Sequence, residues 1–138
     1  MREQNLYNRL RESVVLLAAG GQRALEPFGL TVDQYDALHL LGVEEGQRMG
    51  ELSGRLLSDN SKMTRIVDYL SEKGWVERRP DPTDRRAWCV YLTPAGANHR
   101  EKATNAHQHY LKEKFAALDN EAQQQLITLL TALRQNIE

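Results

Sequence analysis

A chain of 138 residues, 41% of them hydrophobic and with no surplus of Pro, Gly or Ser, fits one compact domain and excludes a largely disordered protein. The single cysteine, Cys89, excludes an intrachain disulfide and fits folding in a reducing, cytoplasmic compartment; no stretch approaches the roughly 18 to 20 apolar residues of a membrane span. A net charge of −1 argues against unselective binding to polyanions, yet the segment from Arg48 to Arg86 is net positive, which leaves the acidic excess to the rest of the chain.

The first residues alternate charged and apolar groups, unlike an export signal. Leu6, Leu10, Val14 and Leu17 recur at helical steps and predict a first helix running toward Pro27. Gly20 and Gly21 cost that helix about 1 kcal/mol each relative to alanine, so they require a kink or a group packed close to the backbone. Pro27-Phe28-Gly29 breaks the pattern. Thr31 and Gln34 form a capping box for a second helix with Tyr35, Leu38 and Leu41 on its inner face.

A short helix is predicted over Gly50–Leu57, followed by the polar turn Ser58-Asp59-Asn60 and a further helix ending at Gly74. Met63, Ile66, Val67 and Leu70 make the buried stripe of that helix, leaving Ser61, Lys62, Thr64, Arg65 and Tyr69 on the other side. The period then changes to alternation. Trp75–Arg79 and Trp88–Leu92 read as the two strands of a hairpin with a charged, turn-rich tip. Thr93-Pro94 launches a long polar helix carrying Tyr110, Leu111 and Phe115, and a last helix begins near Asp119 with Leu126, Leu129 or Leu130, Leu133 and Ile137 at the spacing of a packing seam.

The expected fold class is therefore mainly α with a small β-hairpin: a winged helix-turn-helix over about 31–93, flanked by dimerisation helices over about 1–27 and 94–138, all within the single domain 1–138. In that element order the second helix of the pair enters the major groove of duplex DNA. Groove entry needs small or hydrogen-bonding side chains opposite the buried stripe, and Ser61, Lys62, Thr64 and Arg65 supply them. Arg65 has the planar fork that reads guanine O6 and N7, whereas Lys62 suits a phosphate. Arg85 and Arg86 sit where a wing meets the minor groove; Asp84 is expected to orient an arginine, and Asp81 to cap the turn.

The series Leu70-Ser71-Glu72-Lys73-Gly74-Trp75-Val76-Glu77-Arg78, then Asp84-Arg85-Arg86 and Leu92-Thr93-Pro94-Ala95-Gly96, resembles the multiple-antibiotic-resistance regulator (MarR) family. The resemblance covers nearly the whole chain. It implies a homodimer formed by interlocking first and last helices, a pseudo-palindromic double-stranded DNA operator, a wing arginine at Arg86 reaching the minor groove, and repression released by a small, often aromatic, effector. Peroxide-sensing relatives carry their reactive cysteine in the first helix, where this chain has none.

Other readings of the residues are weaker. His107 and His109 stand at i, i+2 and face apart, and with His99 they do not make the i, i+3 or i+4 pair a helical metal site uses; no metal and no cofactor is expected. His39 reads as a packed or pocket-lining histidine, and Gly20, Gly21, His39 and Trp75 mark places to look for an effector pocket. Cys89, in a strand, reads as a small buried residue. No phosphate loop, nucleophile elbow or carboxylate pair supports an enzyme. The alternative to a repressor is a helical dimer that senses a ligand or a protein partner and binds DNA weakly or not at all.

Overall fold

The computed structural model describes residues 1–138. Helix α1 (Arg2–Leu25) runs into a 3-10 turn at Glu26–Phe28, and α2 (Val32–His39) follows. Strand β1 (Gln47–Arg48) leads directly into α3 (Met49–Arg55), which a tight turn joins to α4 (Asn60–Glu72). Strands β2 (Val76–Pro80) and β3 (Trp88–Leu92) form the wing, and α5 (Pro94–Phe115) and α6 (Asn120–Ile137) complete the chain.

Side-chain caps explain where the helices begin. Thr31 Oγ1 accepts from the Gln34 amide while Gln34 Oε1 accepts from the Thr31 amide, the reciprocal pair expected from the sequence. Asp59 Oδ1 accepts from the Lys62 amide at 2.7 Å, Thr93 Oγ1 from the Gly96 amide at 2.9 Å and Asp119 Oδ1 from the Ala122 amide at 2.8 Å. Each satisfies a backbone donor that the helix itself leaves free, a contribution of about 1 kcal/mol per cap.

One core lies where α2, α3, α4, the sheet and the first half of α5 meet. Leu38, Leu52, Met63, Val67, Leu70, Val90, Leu92 and Ala103 are all fully inaccessible there, and Leu25 brings in the end of α1. The helical period on α4 places Met63, Ile66, Val67 and Leu70 on its inner face, as the sequence predicts. By contrast no residue of α6 is buried, and Leu6, Val14, Val15 and Leu16 of α1 are all more than half exposed.

Two features differ from the sequence expectation and one open alternative is settled. The sheet has three strands in the order β1-β3-β2, with Gln47 opposite Val90 and Arg48 opposite Cys89, rather than a two-stranded hairpin. Two residues are too few to show alternation, so β1 left no periodic signal. Of the two alternatives expected at Gly20 and Gly21, close packing is the one present: α1 runs unbroken through them, and a Cβ on Gly20 would lie 2.0 Å from the Tyr110 hydroxyl. Tyr69 is half-buried against Trp75 and donates its hydroxyl to the Gly29 carbonyl, which removes it from the exposed face of α4.

The turn between α3 and α4 carries the one non-glycine residue with positive φ, Leu57 at 53°, with its side chain 79% exposed. A left-handed conformation costs an L-residue about 1–2 kcal/mol, and the exposed side chain recovers little of that. Leu57→Gly relieves the strain but adds about 0.5–1 kcal/mol of unfolded-chain entropy, so a gain of up to about 1 kcal/mol is expected as a higher urea midpoint at unchanged slope. A lower midpoint would show that the leucine side chain stabilises the turn by more than its backbone costs.

Candidate nucleic-acid interface

The first two turns of α4 present Ser61, Lys62, Thr64 and Arg65 to solvent, because the 3.6-residue period that buries Met63 and Val67 turns these four outward. Their side chains are not equally free. Arg65 and Ser61 make no side-chain bond within the chain, while Thr64 Oγ1 returns a bond to the Asn60 carbonyl at 2.9 Å. Lys62 Nζ lies 2.7 Å from Asp33 Oδ2 in the first turn of α2, and this pairing raises the lysine pKa. A phosphate reaching Lys62 has to compete with that carboxylate, but both partners are about half exposed and water weakens the pair.

The wing divides its arginines in the same manner. Arg78 is bound to Asp68 of α4, and Arg79 to Glu77 while lying over the Tyr91 ring at 4.4 Å. Arg85 and Arg86, at the tip, are exposed and their guanidinium groups have no acidic partner. Asp84 does not hold an arginine side chain: its Oδ1 accepts from the Arg86 backbone amide at 3.0 Å, shaping the tip instead. Within the tip loop the carboxylate that holds an arginine is Asp81, which pairs with Arg48 and also caps the turn as expected.

Asp81 is 7% exposed and receives bonds on both oxygens. Oδ1 accepts from the Thr83 amide at 2.7 Å, the Thr83 hydroxyl at 2.8 Å and the Asp84 amide at 3.3 Å; Oδ2 accepts from Arg48 Nε at 2.6 Å. The Thr83 amide and the Arg48 guanidinium hold this carboxyl far below the usual carboxylate range. Arg48 escaped the sequence reading because its role depends on the unsuspected strand β1. Cys89 is buried beside the same carboxylate, and burial followed by Asp81 pushes its thiol pKa up, away from a reactive thiolate.

The histidines scatter. His99 stacks on Trp75 with ring centroids 4.0 Å apart and faces the Phe28 carbonyl at 2.7 Å, and His109 faces Glu113 at 2.7 Å. His39 and His107 flank Tyr35 at 4.5 and 4.7 Å, where α2 meets α5, and His39 also faces the Thr104 hydroxyl at 3.1 Å. Of the places marked for a pocket, Gly20 and Gly21 are covered by Tyr110 and His107, and Trp75 by His99.

An outward polar helix face beside a hairpin with unpaired arginines defines a winged helix-turn-helix protein. The comparisons with known proteins agree. The MarR family model matches residues 30–88. The multiple antibiotic resistance protein MarR of Salmonella typhimurium is 34% identical over 97 residues, covering 67% of this chain and 67% of its own. The uncharacterized HTH-type transcriptional regulator YkoM of Bacillus subtilis is 27% identical over 129 residues, 94% of this chain and 84% of its own. Among solved structures, a cysteine-to-serine mutant of Escherichia coli MarR complexed with operator DNA superposes with a TM-score of 0.86 at 28% identity, covering 94% of this chain and 93% of that one. The chain belongs to the MarR family of transcriptional regulators. No helix is long and apolar enough to cross a membrane.

Burial lowers the pKa of His39, with Arg100 and His107 adding to the effect, and burial lowers that of His107 against the opposing pull of Asp36. The fold therefore favours both neutral rings, and the unfolded chain takes up protons first. Stability from these groups is present above the ordinary value of 6.5 and is lost as pH falls below it. Urea midpoints at about pH 7.5 and about pH 5.5 should show this loss, and a His39→Gln, His107→Gln double variant should reduce it. An equal loss in the double variant would assign the pH dependence to other groups.

Proposed function

We propose that this chain is a homodimeric, sequence-specific repressor of transcription that binds a pseudo-palindromic operator in duplex DNA and is released by a small, aromatic effector. Residues 31–93 form the DNA-binding unit, and residues 1–27 and 94–138 the dimerisation helices. Helix α4 enters the major groove, where Arg65 reads guanine, Ser61 and Thr64 contact base edges or backbone, and Lys62 exchanges Asp33 for a phosphate. Arg85 and Arg86 reach the flanking minor groove, with Asp84 setting the backbone from which Arg86 extends.

The observation that carries this reading is the distribution of unpaired guanidinium groups. The arginines inside the wing are spent on Asp68 and Glu77, whereas Arg65, Arg85 and Arg86 are left to an external acceptor on two adjacent elements. For the dimer, the support is the apolar surface at the chain ends. Leu6, Leu10, Leu17, Phe115, Leu126 and Leu130 border an apolar groove of about 780 Å³, and Leu129, Leu133 and Ile137 continue the exposed face of α6. A second copy covers such a face with the same face, and two α4 helices then address half-sites about one turn of DNA apart. An effector bound between the terminal helices and the DNA-binding unit releases the operator by favouring a different spacing of the two α4 helices.

Fluorescence anisotropy with the duplex upstream of the chain's own gene and with a scrambled duplex, across a salt series, tests the reading. Preference for the first duplex that survives moderate salt is expected. Arg65→Ala should narrow the difference between the duplexes by about 1–3 kcal/mol, and Arg86→Ala should weaken both alike. Equal binding of both duplexes, together with equal small effects of the two variants, would favour a sensing dimer instead.

A further inference from the structure

We infer that Arg48 and Asp81 are positioning residues for DNA binding: their ion pair braces the wing tip against the start of α3 and so fixes where Arg85 and Arg86 are delivered relative to α4. The inference rests on the DNA-binding reading above and concerns residues outside the groove-facing set.

The wing ladder ends at Pro80 opposite Trp88, so residues 81–87 have no continuous strand pairing. Two backbone bonds, from the Asp81 amide to the Ala87 carbonyl and from the Ala87 amide to the Asp84 carbonyl, close this segment into a loop. Its interior is the Asp81 carboxylate. Three donors from Thr83 and Asp84 wrap one oxygen, and Arg48 Nε takes the other, with Arg48 Nη2 also 3.5 Å from the Thr83 hydroxyl. Without Arg48 the carboxylate keeps its bonds within the loop and to the Cys89 thiol of β3, but the loop loses its tie to the start of α3.

The other end of the tie is rigid. Arg48 pairs with Cys89 in the sheet, and its amide donates to Glu51 Oε1 at 3.1 Å in the first turn of α3. Helix α3 carries the buried Leu52 into the core that α4 shares through Met63 and Val67. One ion pair therefore connects the loop bearing the free arginines to the helix that packs on the recognition helix. Arginine side chains are long and flexible, and fixing the backbone beneath them restricts the volume they search before meeting DNA. The pair is nearly neutral as a unit, so a positioning effect separates from an electrostatic one.

Anisotropy titrations should compare the wild type, Arg48→Ala, and the Arg48→Ala, Asp81→Asn double variant, each with and without Arg86→Ala. The double variant removes one charge of each sign. Positioning predicts that it binds the specific duplex about tenfold more weakly, and that Arg86→Ala costs little further in that background, the non-additivity expected within one connected network. Should Asp81→Asn impair folding, Arg48→Ala leaves the carboxylate and its loop bonds in place and carries the same cycle. In the free protein, exchange of the Thr83 and Asp84 amides should quicken in Arg48→Ala while amides of α4 are unchanged. Restored wild-type binding in the double variant, or an undiminished cost of Arg86→Ala, overturns the brace even where the wild type prefers its own duplex. A wild type that binds neither duplex overturns the DNA-binding reading and the brace with it.

Discussion

The seat of Tyr110 on Gly20 is the contact that locks α1 against α5. The ring lies where any side chain at position 20 would stand, and its hydroxyl donates to the Leu17 carbonyl at 3.0 Å, with His107 closing on Gly21 one turn earlier along α5. At its other end α5 is fastened equally closely, since a Cβ on Gly96 would lie 1.9 Å from the Trp75 carbonyl at the base of the wing. Helix α5 is thus packed at one end against the base of the wing and at the other against α1. Close packing of this kind resists continuous deformation at both ends of α5.

The core explains why apolar faces of α6 and of the first half of α1 can stay exposed. The core around Leu38, Met63 and Leu92 is complete without α6 or the first half of α1, so those elements are not needed to bury it. Leu6, Leu10, Leu17, Leu126 and Leu130 of these elements border one apolar groove. An exposed apolar surface of this extent marks an interaction site.

Helices and their starts were legible because their causes are local. A threonine, glutamine or aspartate at a cap, and four apolar residues at helical spacing, carry their meaning within one or two turns, and so Thr31, Asp59 and the stripe of α4 were readable directly. What was hidden depends on partners distant in sequence. Strand β1 exists only because β3 pairs with it across some forty residues, and with β1 went the role of Arg48. Likewise Tyr69 shares the helical face of the groove residues by period, but Trp75 and the Gly29 carbonyl claim it. The exposure of Arg65, Arg85 and Arg86 was readable; which charges were already neutralised within the chain was not, because Asp33 meets Lys62 and Asp68 meets Arg78 only after folding.

Every step from free arginines to operator recognition assumes that the chain acts in pairs, two α4 helices held by one apolar seam. Sedimentation equilibrium at micromolar concentration tests that most directly. The account predicts a mass twice the chain's 15.8 kDa, shifting toward the single-chain value when a charge is placed in the seam by Leu133→Glu. A wild-type mass of 15.8 kDa would contradict it and leave α4 without a second copy to set its half-site spacing.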